Sequence, residues 1–127
     1  MSKIVRVVNA MIEKSDKITE VTPAQGRSDE YYFLYDGKYR WSVSYDDDAN
    51  TYFVHYYPNQ QAIRSLAAAW EMDVPPESVA YNTADLGTRE AYASFRDLYK
   101  LVQEKVHGID GVFDDILGTT DKDDLPF

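Results

Sequence analysis

The sequence lacks several features that would point directly to a function. Its 127 residues contain no cysteine, which excludes disulfides, thiolate metal sites and a cysteine nucleophile. No stretch approaches 18 consecutive apolar residues, and residues 1–6 carry neither an apolar run nor a cleavage signal. We therefore expect a soluble, cytoplasmic protein that does not enter membranes and folds as one ordinary-sized domain.

Basic residues are also scarce. Thirteen lysines and arginines stand against 22 acids, so the formal net charge is −9. General binding to a nucleic-acid backbone needs clustered basic residues, and this charge balance disfavours it. The negative charge is uneven, because residues 110–127 hold six acids and one base. An acidic C-terminal segment therefore follows a less strongly charged body.

Catalytic motifs cannot be identified in this sequence. There is no nucleophile–base pair, phosphate-binding loop or cluster of metal ligands. His55 and His107 are the only histidines, and neither has an evident partner for acid–base chemistry. Residues 46–50 offer carboxylate and amide oxygens, but they lack the EF-hand spacing and are typical of a turn. We expect no enzymatic activity, no metal and no cofactor.

Residues 30–57 carry the clearest secondary-structure pattern. Asp36-Gly37 is a strong signal for a tight hairpin, because glycine readily adopts the positive φ of a primed turn. An Asp- and Asn-rich turn follows at residues 46–50. Three runs rich in aromatic and β-branched residues predict an antiparallel meander with strands at 30–35, 39–45 and 51–57.

Alternation in the second predicted strand indicates how the sheet is oriented. One set of side chains is polar or small, and the other is large and apolar, which predicts one solvated face and one packed face. The solvated set is Arg40, Ser42 and Ser44, and the packed set is Tyr39, Trp41, Val43 and Tyr45.

Helical spacing predicts the elements on either side of the meander. A first helix is expected over residues 2–15 with Ser2 as its N-cap. A second is expected to be capped by Pro58-Asn59 and closed by Pro75-Pro76, with the apolar stripe Ala62, Ile63, Leu66, Ala67 and Trp70. A third is expected from Thr88 to His107, ended by Gly108. The connections at 17–28 and 73–87 are predicted to be mostly irregular, with a short edge strand at 18–22 as an alternative. This order predicts an α+β domain: an N-terminal helix, a three-stranded meander, then two or three helices packed on one side of the sheet.

Aromatic residues are concentrated in the meander, which contains eight of the 11 tyrosines. On the face opposite Trp41, the candidates for an interaction surface are Arg40, His55 and Tyr57. Three interpretations remain open: core and cross-strand packing, a protein interface, and a platform on which bases stack. The negative net charge disfavours base stacking.

The last seven residues form the most specific pattern. Phe127 carries both a ring and the terminal carboxylate, so an apolar pocket with an arginine at its mouth could bind both. Pro126 fixes its own φ and biases Leu125 towards an extended conformation, which lowers the ordering cost of binding. Aspartates at 121, 123 and 124 would attract a basic rim. The candidate partner-binding residues are Asp121, Asp123, Asp124, Leu125, Pro126 and Phe127.

This ending resembles the C-terminal tip of bacterial single-stranded-DNA-binding proteins, in which aspartates precede Ile or Leu, then Pro and a terminal Phe. The match covers residues 121–127, and Lys122 stands where an aspartate is usual. The body does not resemble that family. It is predicted to open on a helix, and no Gly-, Gln- and Pro-rich linker precedes the tail. The resemblance implies that the segment recruits replication, recombination or repair proteins. A frayed acidic terminus with a chance match is the alternative interpretation.

Two functions follow from the sequence. The first is a non-enzymatic adaptor or modulator of DNA replication or repair, with residues 1–117 as the α+β domain and 118–127 as the acidic tail. Its partner would be a protein with a basic-rimmed apolar pocket. The second is a small acidic inhibitor or immunity-type protein that covers a basic partner, with the tail incidental. The apolar residues within 112–117 predict one or two helical turns, which either pack on the body or serve as an interaction helix.

Overall fold

The computed structural model describes residues 2–26, 29–68 and 76–124, with side chains of the last helix described for residues 111–118. The described part of the chain forms an antiparallel sheet whose strands lie in sequence order, with helices on both faces. A short 3-10 turn links the first helix to the first strand. The elements are α1 (Lys3–Glu13), β1 (Ile18–Pro23), β2 (Glu30–Tyr35), β3 (Tyr39–Asp46), β4 (Thr51–Tyr57), α2 (Ile63–Ala67), β5 (Val79–Asn82), α3 (Thr83–Leu86), α4 (Arg89–His107) and α5 (Ile109–Asp124).

The central meander confirms the prediction from the sequence. Strands β2, β3 and β4 pair in antiparallel register, and their limits match the predicted ones within one residue. At the β2–β3 hairpin, Asp36 has φ 56° and Gly37 has φ 70°, as a type I′ turn requires at its two central residues. The Lys38 amide donates to the Tyr35 carbonyl at 3.2 Å and closes the turn.

We expect Gly37→Ala to lower the free energy of unfolding by about 1 kcal/mol, because the left-handed conformation is unfavourable for a residue with a Cβ. An added Cβ would meet no atom within 4 Å, so the conformation alone is tested. Gly111→Ala is the matched control, since Gly111 lies within α5 and does not have a positive φ. Chemical denaturation of both variants measures the effect. Equal losses at the two glycines would contradict this account of the turn.

The prediction of three strands is wrong, because the described residues form five. The first of them, β1, confirms the alternative of an edge strand at 18–22. In β1, Glu20 adopts φ 53° and the pairing with β2 shifts between Thr19 and Thr22. This bulge breaks the alternation by which a strand is recognised in a sequence. Strand β5 is short, since only the four residues Val79–Asn82 pair with β4. It lies within residues 73–87, which the sequence predicted to be mostly irregular.

Helices α1 and α4 pack on one face of the sheet and form the main core. Ser2 and Thr88 cap the two helices as predicted, accepting from the amides of Val5 at 3.4 Å and Ala91 at 3.1 Å. Gly108 ends α4 in the left-handed conformation, also as predicted. The buried residues of this core are Ile4, Val5, Val8, Met11, Ile18, Tyr31, Phe33, Val43, Tyr52, Val54, Ala91, Phe95, Leu98 and Val102.

The opposite face of the sheet was predicted to be solvated, and this is wrong over much of its area. Ser42 and Ser44 are buried, and Arg40 is half-buried. Helix α2 packs on this face through Ile63 and Leu66 and closes a second, smaller apolar cluster. Helices therefore cover both sides of the sheet rather than one.

Helix α2 is shorter than predicted. It spans Ile63–Ala67 with Ala62 at its N-cap, whereas the sequence pattern predicted a helix capped by Pro58-Asn59 with a stripe that continues to Trp70. The Asn59 side chain accepts from the Gln61 amide at 2.9 Å, so it shapes the preceding turn instead of capping the helix. Trp70 lies outside the described residues.

Helix α5 extends beyond the predicted one or two turns and runs through Gly118 to Asp124. Most of the segment predicted to be a tail is therefore continuous with this helix. Within the described ranges, no helix is both long enough and apolar enough to span a bilayer.

Candidate functional site

The C-terminal helix carries an exposed apolar stripe. Gly108 separates α5 from α4, and the Val112 amide donates to the Gly108 carbonyl at 3.1 Å, so α5 begins immediately after the break. Side chains at positions i, i+1, i+4 and i+5 share one side of a helix. The four residues at these positions are between 47 and 58 % exposed; they are Val112, Phe113, Ile116 and Leu117, hereafter the α5 stripe.

The rest of α5 is acidic. Asp114 and Asp115 lie within the described side chains and are exposed. Asp121, Asp123 and Asp124 belong to the same helix, although their side chains are not described. Leu125, Pro126 and Phe127 lie outside the described residues. The structure thus places the acidic part of the predicted docking segment on the helix that carries the stripe.

Arg40 and His55, predicted to form an exposed surface, instead make contacts within the protein. Arg40 donates from Nε to the Gln61 carbonyl and from Nη1 to the Lys38 carbonyl, both at 2.7 Å. These bonds hold the connection between β4 and α2 against β3. His55 is half-buried, and its Nδ1 lies 3.3 Å from the Ser78 Oγ.

The third residue of the predicted surface, Tyr57, is only 4 % exposed, which removes it from the accessible surface. Its ring lies 6.2 Å from the His55 ring, which in turn lies 6.3 Å from Phe53. The three rings lie in a row on one face of β4, because alternate residues of a strand share a face. This arrangement favours internal packing over stacking with an incoming base.

Tyr57 also belongs to a buried polar cluster that the sequence did not predict. Ser42 Oγ lies 2.9 Å from Glu30 Oε2 and 3.0 Å from the Tyr57 hydroxyl. Burial raises the pKa of Tyr57 far above its ordinary range. All three residues are at most 4 % exposed, so substrates cannot reach the cluster without a change in structure. Its role in this conformation is structural.

We expect Ser42→Ala to lower the free energy of unfolding by about 1–3 kcal/mol, because it leaves buried polar groups without their shared partner. Ser65→Ala is a suitable control, since Ser65 is exposed on α2. Urea denaturation of both variants measures the difference. A loss at Ser42 no larger than that at Ser65 would show that the cluster does not stabilise the fold.

A cluster of tyrosine rings lies between the sheet and α4. The Tyr99 ring lies 5.6 Å from both Tyr31 and Tyr52. Close by, Asn50 Oδ1 accepts from the hydroxyls of Tyr45 and Tyr92, each at 2.8 Å. Asn50 belongs to the β3–β4 turn, so these hydroxyls fasten that turn to α4. Packing therefore accounts for these rings.

Alkaline titration tests the tyrosine cluster. Burial raises the pKa of Tyr99 from 10.0 to about 12. The folded state therefore keeps this proton when the unfolded chain would lose it, and the associated stability is present below pH 10 and lost as the pH rises to about 12.

We expect Tyr99→Phe to reduce the fall in unfolding free energy across this range. Tyr39→Phe, which removes a hydroxyl from an exposed ring, is the matched control. Denaturation at a series of pH values measures both, and the same pH dependence in Tyr99→Phe as in the unmodified protein would contradict the assignment.

The acidic turn between β3 and β4 does not form a metal site in this structure. Asp46 Oδ1 accepts from the amides of Asp48 at 3.1 Å and Ala49 at 3.3 Å, which is a turn-stabilising role. No group of three or more potential ligands meets elsewhere within the described residues.

An apolar pocket of about 340 Å³ lies where α1 meets the β5 side of the sheet. The rings of Trp41 and Tyr56 lie 5.1 Å apart within it. Lys3 is the one charged residue among those that line it. Its walls are Tyr39, Trp41, Tyr56, Val79 and Tyr81, with the first two turns of α1, and we call it the aromatic pocket. Sequence reasoning missed this site because it did not predict β5, which supplies one wall.

No family model matches the sequence, and none of the curated proteins or solved structures compared with it is significantly similar. The functional inference therefore rests on the contacts and exposed surfaces of the protein itself.

Proposed function

We propose that this protein acts as a non-enzymatic adaptor or modulator in DNA replication or repair, in the cytoplasm, and binds a protein partner through its C-terminal segment. The α5 stripe is the observation that carries this proposal. Four of the six large apolar side chains that are exposed among the described residues lie together on this one helix, whereas the core residues are buried in two clusters.

The stripe can supply binding energy. Complete burial of one Val, Leu, Ile or Phe side chain is worth roughly 1.5–3 kcal/mol. The four side chains are already about half covered, so roughly half of that gain remains for each. An amphipathic helix that lays such a stripe in an apolar groove is an established mode of peptide recognition. We therefore expect the partner to present a groove rather than a flat surface.

The charge of α5 defines the chemistry around that groove. Residues 110–127 hold six acids and one base, which favours a basic rim on the partner. Repulsion between like charges opposes pairing of this helix with a second copy of itself. A basic rim would mainly raise the rate of association, and salt would weaken this effect.

The last residues make the proposal more specific. Leu125, Pro126 and Phe127 resemble the tip of single-stranded-DNA-binding proteins, and they directly follow the acidic end of α5. We propose that the partner is a replication or repair protein with a pocket for such tips. The α5 stripe then binds beside the pocket and adds contacts that a short tip alone does not make.

Removal of the last three residues tests the tip. We expect a peptide of residues 118–127 to bind a tail-pocket protein with micromolar affinity. Truncation after Asp124 or amidation of Phe127 should reduce binding strongly, and added salt should reduce it more gently. Isothermal titration with full-length protein and the truncated form gives the comparison. Binding that is indifferent to Phe127 would contradict the tip proposal and favour an inhibitor that acts through its body surface.

Substitution within α5 tests the stripe separately. We expect Phe113→Ser or Leu117→Ser in the full-length protein to weaken partner binding by about tenfold, because each change removes buried apolar area from the interface. Asp114→Ser is the matched control, since it removes a charge and leaves the stripe intact; its effect should appear mainly at low salt. Circular dichroism checks that α5 is retained. Full affinity in both stripe variants would show that the partner does not contact this face.

A further inference from the structure

The aromatic pocket lies beside β5, which is an edge strand of the sheet within the described ranges. Strand β5 is the last strand of the sheet among the described residues, so it directs half of its backbone N–H and C=O groups away from β4. Sheet edges are usually protected by short strand length, lysine, proline, bulges, inward-pointing charges or a covering segment. Strand β5 is short, at four residues, but its sequence, Val-Ala-Tyr-Asn, contains no lysine, proline or charged residue.

The opposite edge shows what protection looks like in the same molecule. Strand β1 contains a bulge between Thr19 and Thr22 and ends in Pro23, and Glu20 adopts a positive φ. These features twist the strand and remove a hydrogen-bond donor, so a further strand would add poorly there. The contrast singles out β5 as the edge suited to accept a strand.

The side chains of β5 connect the aromatic pocket to the edge of the sheet. Val79 and Tyr81 line the pocket, and Val79 is 46 % exposed. Tyr39 on the opposite wall is 43 % exposed. A segment paired with β5 would therefore direct alternate side chains to the face on which the pocket lies. Strand addition combines backbone hydrogen bonds for affinity with side-chain pockets for specificity.

Charge identifies the kind of segment. Lys3 lines the pocket, and Lys38 Nζ lies 5.5 Å from the centre of the Tyr39 ring, which forms part of its wall. Two cations thus lie at the pocket on a protein whose net charge is −9, whereas the acids nearest to β5 in the sequence, Glu77 and Asp85, lie beyond its two ends. Acidic residues beside the inserted apolar side chain would complement them.

We propose that β5 accepts an extended acidic segment of a partner protein as an additional strand, and that one aromatic or branched aliphatic side chain of this segment enters the aromatic pocket. The site is separate from the C-terminal segment. Its occupation depends on Val79, Lys3 and the backbone of β5, and not on the α5 stripe or on Phe127.

Selection from a random dodecapeptide library displayed on phage, with full-length protein as bait, tests the proposal. We expect enriched peptides to place acidic residues around one aromatic or branched aliphatic residue. A synthetic peptide from this set should lose at least about tenfold in affinity towards Val79→Asp, because its apolar side chain would meet a carboxylate. Fluorescence anisotropy measures the affinity. An undiminished affinity towards Val79→Asp, or no enrichment at all, would overturn the proposal.

Lys3→Glu tests the charge, with Lys14→Glu as the matched control, because Lys14 is exposed at the opposite end of α1. We expect several-fold weaker binding to the first variant and little change in the second. Equal effects would overturn the acidic specificity. Truncation after Asp124 should not alter peptide binding, which separates this site from the proposed function.

Amide exchange distinguishes strand addition from simple filling of the pocket. We expect the bound peptide to slow exchange at the outward-facing amides of β5. If phenylpropionate bound as tightly as the peptide and these amides were not slowed, the pocket would be a small-molecule site. A Val79-dependent dimer seen by sedimentation, with no peptide bound, would assign the edge to a second copy. Either result would overturn the proposal.

Discussion

Packing of α4 against the centre of the sheet is the contact on which the rest of the structure depends. Phe95, Leu98 and Val102 are fully buried against sheet residues such as Phe33 and Val43. A single helix thereby covers strands that are far apart in the sequence, and α1 fills the remaining part of the same face. The apolar side of α4 is occupied by this core, and α5, which begins after Gly108, leaves its stripe about half exposed in the described part of the chain.

That constraint explains why the two candidate interaction sites lie at the margins of the fold. The α5 stripe follows the end of α4, beyond the main core. The aromatic pocket lies at the other margin, where the first turns of α1 reach β5. The centre of the sheet, by contrast, is occupied on both faces: Val43 is buried on one side and Ser42 on the other. The tyrosine-rich meander is therefore mainly a packing element, and its rings stabilise turns and strands.

Local signals allowed much of the fold to be predicted. Asp36-Gly37 specifies its turn through backbone conformation alone, and Thr88 and Gly108 bound α4 through capping, so neighbours hardly affect these predictions. Strand β5 is only four residues long, so it is held by pairing that is not evident in the sequence, whereas β1 matches the edge strand that the sequence offered as an alternative at 18–22.

The sites were predicted less completely. Burial of Ser42 depends on Glu30 and Tyr57, which are distant in the sequence, and no spacing rule connects them. The sequence suggests that Arg40 is a surface cation, but Arg40 binds backbone carbonyls of the loop that follows the next strand, β4. The apolar residues of α5 were recognised, and only the structure shows that the described body leaves them exposed.

Hydrogen exchange in the free, full-length protein tests the central claim most directly, namely that α4 belongs to the stable core while α5 lies outside it. The account predicts that amides of α4 exchange at rates set by global unfolding, and that amides within residues 111–118 exchange orders of magnitude faster. Exchange as slow in α5 as in α4 would show that the stripe is covered, and would contradict the claim that it is available to a partner.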